Sequence, residues 1–290
     1  MDFKLPALPT ALAEIIKIQR DATPDTTRLV AVIEKDPAIA LYLLRQVNSA
    51  YYGIQKQISQ INRAVMLLGS KRVCNLVLAA TLKQTFANIK GPTARAVYER
   101  ILRTSFGTAL FSRDLADHLH LSSAETIFTA GLFHQLGRLV FLYNASDQYL
   151  PLWYQRIPPD QHLALAAPSL EAEHACFKID HLNLGSSAMK RWGLPEELAD
   201  IAQQIRTLHT VTHPPVRILP LLVALGRSLS EALFEPEGYG SFADYAGNGR
   251  LTLIETLAQT RPLDVVALND LLESRRDAVE QYTQTMVHAA

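Results

Sequence analysis

Residues 130–142, A-G-L-F-H-Q-L-G-R-L-V-F-L, constrain the fold of this chain more than any other stretch. Read as a helix they make over three turns, almost all apolar, and a helix apolar on every side has to be buried. The rest of the chain must therefore supply a shell around it. The pair His134 and Gln135 breaks the pattern. A buried imidazole requires a hydrogen-bond partner or a metal, so any chemistry would reside here; the plainer alternative is a core histidine satisfied by its surroundings. The next residue weighs against a metal. A metal-dependent hydrolase wants a hard oxygen ligand beside the imidazole, as Asp would supply, whereas Gln135 is a neutral amide. Gly131 and Gly137 flank the pair. Each costs about 1 kcal/mol against alanine inside a helix, and together they predict close approach of neighbouring helices.

The shell also reads as helical. Asp36-Pro37 is a strong start signal, Asp as N-cap and Pro at the first helical position, and the helix that follows presents Ile39, Leu43, Leu44 and Val47. Thr10 and Ser59 are candidate helix starts, the latter followed by Ile61, Ala64, Val65 and Leu68 at helical spacing. Gly69-Ser70 punctuates, and a longer helix runs to about residue 88. Gly91-Pro92 marks a boundary, giving an N-terminal helical subdomain, 1–90, and a core, 91–214. A long helix is predicted over 93–119, and the central helix, capped by Ser122 or Ser123, runs to about residue 143. Residues 144–168 carry four prolines and read as a short helix and a loop. Asp180 caps the helix containing His181, and Glu196 and Glu197 suit the positive first turn of the next one. Residues 215–290 supply C-terminal helices that complete or extend the core. Four glycines in 235–249 lack the preceding strand and the Lys of a phosphate loop. No stretch alternates convincingly as a strand, so the expected fold is all-α, a multi-helix bundle.

Composition removes several function classes. Net charge is zero over 290 residues, which gives no global reason to expect nucleic acid or an anionic membrane. Residues 1–90 hold 12 Lys and Arg against 6 Asp and Glu, and the remainder 16 against 22; the two regions attract each other, as across an intramolecular interface. Residues 59–86, with Lys71 and Arg72 opening the second helix, superficially suggest a helix-turn-helix, but that helix is too apolar to lie exposed in a groove. Cys74 and Cys176 are far apart and read as buried small hydrophobes, neither a disulfide framework nor a zinc ribbon. No secretory leader is evident and no apolar run reaches membrane-spanning length, so a cytoplasmic location is expected.

Several motifs in one order resemble a known family. Asp36-Pro37, Leu43-Leu44-Arg45, Asn48-Ser49-Ala50-Tyr51-Tyr52-Gly53, then Ile58, Ile61, Ala64 and Leu68-Gly69, are similar to the signature of the HDOD domain. So are Gly131-Leu132-Phe133-His134 with Gly137, Glu173 with Asp180-His181, and Trp192-Gly193-Leu194-Pro195. The match covers roughly residues 5–209. The resemblance implies an all-helical bundle related to the HD phosphohydrolase superfamily, of a kind found in bacterial signalling and regulatory proteins, whose members commonly lack a complete metal site and act through protein contacts. It also implies where an active HD site would lie: a His, a His-Asp pair and a distant Asp. Here Thr104 stands at the first position, Gln135 replaces the Asp of the pair, and the helix after residue 216, where the distant Asp is expected, reads Leu-Val-Ala-Leu-Gly over 222–226 and has no acid there. His134, His181 and His209 remain as metal ligands, with Asp180 and Glu173 supporting them.

The leading expectation is a non-catalytic HDOD-type signalling module that contacts other signalling proteins, with no cofactor, no nucleic acid and no membrane, and with a homodimer as a further arrangement. Its contact candidates are Asn48, Ser49, Tyr51 and Tyr52, since amphipathic aromatics are enriched at interfaces; the competing reading has Asn48 capping a helix end and the tyrosines packed internally. The alternatives are a metal-dependent phosphohydrolase or phosphodiesterase with a reduced site of His134, His181 and His209, and a pocket that binds a nucleotide without turnover. For the last, Lys190, Arg191 or Arg138 could meet a phosphate, each being more simply a solvated helix charge.

Overall fold

Chain order in the computed structural model follows the predicted punctuation closely; residues 3–21, 25–157, 162–165, 167–205, 217–234, 257 and 265–288 are described. The helices are α1 (Thr10–Arg20), α2 (Thr26–Glu34), α3 (Pro37–Val47), α4 (Ile61–Leu68), α5 (Ser70–Thr85), α6 (Pro92–His118), α7 (Ala124–Phe133), α8 (Leu136–Asn144), α9 (Ser146–Trp153), α10 (Leu170–Phe177), α11 (His181–Arg191), α12 (Glu196–Gln204), α13 (Ile218–Phe234) and α14 (Val265–His288). A 3-10 turn, Ala50–Tyr52, follows α3. The fold is all-helical but for one feature. Tyr154–Ile157 and His162–Leu165 pair as a short antiparallel hairpin, Tyr154 opposite Leu165 and Ile157 opposite His162. The expectation of a loop there is corrected: α9 hands the chain directly to an extended segment at Tyr154, and with four residues a side the alternation is too brief to register as a strand pattern.

Start signals act as their chemistry requires. The Asp36 carboxylate accepts from the amides of Ala38 and Ile39, with Pro37 at the first position, and Asp180 does the same for Leu182 and Asn183. By contrast α1 starts behind Pro9 and α4 behind Gln60, neither with a side-chain cap. Gly53 ends the 3-10 turn at φ 60°, in the left-handed region that glycine enters without a Cβ penalty.

The first four helices pack about α5, whose residues 73–82 are all buried, so α5 presents no long reading face to solvent. The long α6 is the axis of the remainder. Its residues 104–116 are buried on every side because α7, α13 and α14 all lie against it. Small residues bring these helices close. A Cβ on Gly226 would stand 2.1 Å from Ser112 Oγ, and one on Gly131 would stand 2.9 Å from Ala109 Cα. The buried apolar side chains make one continuous cluster from Phe3 to Val287. Arg72, in the basic N-terminal region, bridges Asp117 of α6 (3.1 Å) and Glu125 of α7 (2.8 Å), which is the charge attraction that the sequence asymmetry predicts.

Two further expectations are corrected. Cys74 is buried but Cys176 is exposed, since the apolar face of α10 buries Phe177 and Glu173 and turns Cys176 outward. The central segment is two helices, α7 and α8, parted at His134 and Gln135. The cause is local: His134 Nδ1 lies 2.6 Å from the Gly131 carbonyl, occupying the acceptor that the Gln135 amide would use in a continuous helix. No described helix is long and apolar enough to cross a membrane.

Candidate functional site

The break between α7 and α8 places His134 inside the bundle, 1% exposed. A carbonyl only accepts, so Nδ1 carries the proton and donates to Gly131. Nε2 is left as a lone pair with no hydrogen-bond partner among the described residues. Burial, and after it the nearby Arg227 guanidinium, pushes the imidazole pKa down to about 3. His134 is therefore neutral at physiological pH.

His181 enters at the first turn of α11. The approach is close because Gly137 faces it: a Cβ there would stand 2.0 Å from the His181 carbonyl oxygen. Glu173, from α10 and fully buried, organises this half. Its Oε2 accepts from the His181 amide (2.8 Å) and lies 2.6 Å from His181 Nδ1. Its Oε1 accepts from the Tyr149 hydroxyl (2.8 Å) and faces Arg138 Nε at 3.6 Å. Burial raises the Glu173 pKa, and the Arg138 charge counters it. Arg138 also donates to the Pro168 carbonyl (3.1 Å) and stacks over Trp153, 5.5 Å from the ring centre. The sequence reading of Arg138 as a solvated charge is corrected: it is 2% exposed, because α9 and the start of α10 close over α8.

On the opposite side α13 contributes Arg227 and Glu231, paired at 2.7 Å. Burial works to raise the Glu231 pKa, but Arg227, Arg138 and His134 together hold it below the ordinary value. The distant acid was expected in the helix after residue 216, where 222–226 carries none. Sequence reasoning missed that the α13 turn beside His134 carries a guanidinium together with its own carboxylate. The signal was an Arg and a Glu four residues apart in an otherwise apolar helix.

The predicted site residues thus divide. His134, His181 and Glu173 converge with Arg138, Arg227 and Glu231. Asp180 serves as the cap of α11 and also accepts from Asn183 Nδ2 (2.9 Å). Thr104 is buried in α6 with its carbonyl accepting from Ser230 Oγ (2.9 Å), and Gln135 is buried beside His134. His209 lies outside the described residues. The HD relationship implies a divalent metal, and the residues do not fit one. No group of three His, Cys, Asp or Glu side chains among the described residues could hold an ion. Glu173 is committed to His181, Tyr149 and Arg138, and the Arg138 and Arg227 guanidinium groups bring the positive charge that an ion would otherwise supply.

The 48–53 segment is built into the fold. Asn48 bridges two carbonyls and an amide, donating to Leu44 O (2.7 Å) and Ile58 O (2.8 Å) and accepting from Ile58 N (2.7 Å). Ser49 Oγ donates to Gln46 O. Tyr51 is buried and donates to Asp114 at 2.6 Å, while Tyr52 keeps partial exposure and packs edge-on to Tyr51. Lys190 is exposed, and Arg191 donates to the Phe3 carbonyl.

Two imidazoles, two carboxylates and a pair of arginines thus meet inside a helical bundle of HD-like fold. The chain belongs to the HDOD domain family, which it matches over residues 5–208. Among solved structures it is similar to a protein of Shewanella amazonensis SB2B provisionally described as a phosphohydrolase, 18% identical, covering 97% of this chain and 95% of that one with a TM-score of 0.73. It is equally similar to an HDOD domain protein of unknown function from Geobacter sulfurreducens, 17% identical, covering 98% and 93% with a TM-score of 0.73. An uncharacterised protein of Treponema pallidum (strain Nichols) is 24% identical over 218 residues, which is 75% of this chain and 40% of that protein's length.

Proposed function

We propose that this chain is a non-catalytic regulatory module that acts through contacts with other signalling proteins. One observation carries the reading: the centre of the HD-like site holds Arg138 and Arg227 where a hydrolase would concentrate carboxylates. Phosphoester hydrolysis by an HD-type site needs anionic oxygen ligands to position an attacking water. Here Gln135 is neutral, Glu173 is engaged by three partners, and Glu231 is neutralised by Arg227. The contact surface we assign surrounds Asn48 and Ser49, beside the half-exposed Leu41 of α3; its occupant is a signalling protein.

A second reading has one observation in its favour. Both imidazoles engage Nδ1, His134 with a carbonyl and His181 with a carboxylate, which is how ligating histidines are oriented in metal enzymes. Turnover separates the two. With Mn²⁺ added, the purified chain is expected to leave a generic phosphodiester intact; hydrolysis abolished by His134→Ala would make it a phosphohydrolase with an unusual ligand set.

A further inference from the structure

Away from the His134 site, a polar pocket of about 250 Å³ opens where the 3-10 turn, α5, α6 and α14 meet. Arg72 of α5, Arg113 of α6 and Arg275 of α14 line it, together with Asp114, Asp117 and Tyr52. Arg113 is the buried member, 2% exposed. Its Nη2 donates to the Tyr51 hydroxyl (2.9 Å), which itself donates to Asp114 Oδ1. Its guanidinium lies over the rings of Phe128 and Tyr51, 4.7 and 5.3 Å from their centres. Its Nη1 has no hydrogen-bond partner among the described residues. A cation of this kind stays charged when buried, and an unused charged donor is expensive to leave unmade. The two rim arginines are more exposed. Their side chains are 37% and 40% exposed, with Arg275 Nε 3.6 Å from Asp114, and with Arg72 reaching Asp117 through Nη2 (3.1 Å) and Glu125 through Nε (2.8 Å).

We propose that this pocket binds a single phosphate group, as the free ion or as the ester of a small molecule. Three guanidinium groups from three helices converge on one small volume, and the planar guanidinium fork matches phosphate oxygens in paired hydrogen bonds. The acids set the limit. Asp114, Asp117 and Glu125, the last paired with Arg72, match the three positive charges in number, which favours one phosphate over a polyanion. Tyr52 gives the pocket an aromatic wall for whatever carries the ester. Because the donors lie on α5, α6 and α14, an occupant would tie the N-terminal helices, the central helix and the C-terminal helix to one another.

The test is calorimetric titration of the full chain at low ionic strength with inorganic phosphate and, separately, with AMP. Saturable one-to-one binding is expected, weakened about tenfold or more by Arg72→Gln and by Arg275→Gln. Both side chains are part-exposed, so circular dichroism should show an unchanged fold. Arg227→Gln, in the other arginine-bearing site, should leave the binding as it was. Tighter binding of AMP identifies an ester as the ligand, and binding of phosphate alone identifies the free ion. No binding of either into the millimolar range, or binding indifferent to both Arg72→Gln and Arg275→Gln, overturns the proposal.

Discussion

Arg138 and Arg113 are equally buried, each 2% exposed, yet their surroundings differ. Around Arg138 a carboxylate stands 3.6 Å from Nε, too far for a hydrogen bond, and is shared with a tyrosine hydroxyl and with the amide and ring of His181. Around Arg113 the hydrogen-bonding partner is a neutral tyrosine hydroxyl, the carboxylate of Asp114 is reached through it, and one guanidinium nitrogen is left over. The first arrangement is an internal polar network that holds α8, α9, α10 and α11 together. Each leaves one guanidinium nitrogen without a hydrogen bond, and the second does so beside a pocket that two further arginines line. The lesson is that the polar groups of the HD-like position, where the fold would lead one to look for chemistry, also hold helices together, while a second polar centre with a pocket of its own lies next to the signature turn.

The comparison can be broken by substitution. The largest effect is expected at Glu173. Glu173→Ala strands Arg138 and the His181 ring in the core, and loss of one partner of a buried charge pair costs about 3–5 kcal/mol; urea denaturation should show it. Gly137→Ala comes next. The new Cβ would fall 2.0 Å from the His181 carbonyl, and overpacking of backbone against backbone should cost about 3 kcal/mol in the same measurement. Tyr51→Phe removes the relay between Arg113 and Asp114 and should cost about 1–2 kcal/mol. Were it to cost as much as Glu173→Ala, the distinction between the two arginine centres would fail.

An effect of about the same size as Tyr51→Phe is a pH dependence. His134 has a folded pKa of about 3 against an unfolded value near 6.5. Below that unfolded value the unfolded chain binds a proton that the folded chain refuses, so stability is lost as pH falls from about 6.5 towards 3. The limiting slope is about 1.4 kcal/mol per pH unit. Urea midpoints at pH 7 and pH 5 should therefore converge in His134→Gln relative to the parent; an unchanged difference would mean that His134 is protonated in the folded state.

Much of the fold was legible because its signals are local. Asp36-Pro37 and Asp180 act within one helical turn, and Gly131 and Gly137 announce close crossings through the absence of a Cβ. The apolar 130–142 run did mark the middle of the bundle, though not its break at His134, since that break depends on a side chain taking a backbone acceptor. The site was half legible. His134, His181 and Glu173 meet as their motifs suggest. Arg138 was misread because its burial is decided by α9 and α10, and Arg227 with Glu231 were missed because they reach His134 only through the packing of α13 on α7. Nothing in a linear pattern marks Arg113 and Asp114 as buried, because α6 becomes the axis only when α7, α13 and α14 surround it.

The most direct test of the central claim is the metal content of the purified full chain and of His134→Ala, by elemental analysis after exposure to Mn²⁺ and Zn²⁺ and removal of free ions. The account predicts well under one ion per chain in both, since among the described residues the two imidazoles are joined only by Glu173 and Glu231, carboxylates that Arg138, His181 and Arg227 already engage. One tightly held ion per chain that His134→Ala releases would contradict it and return the site to the metal-dependent hydrolases.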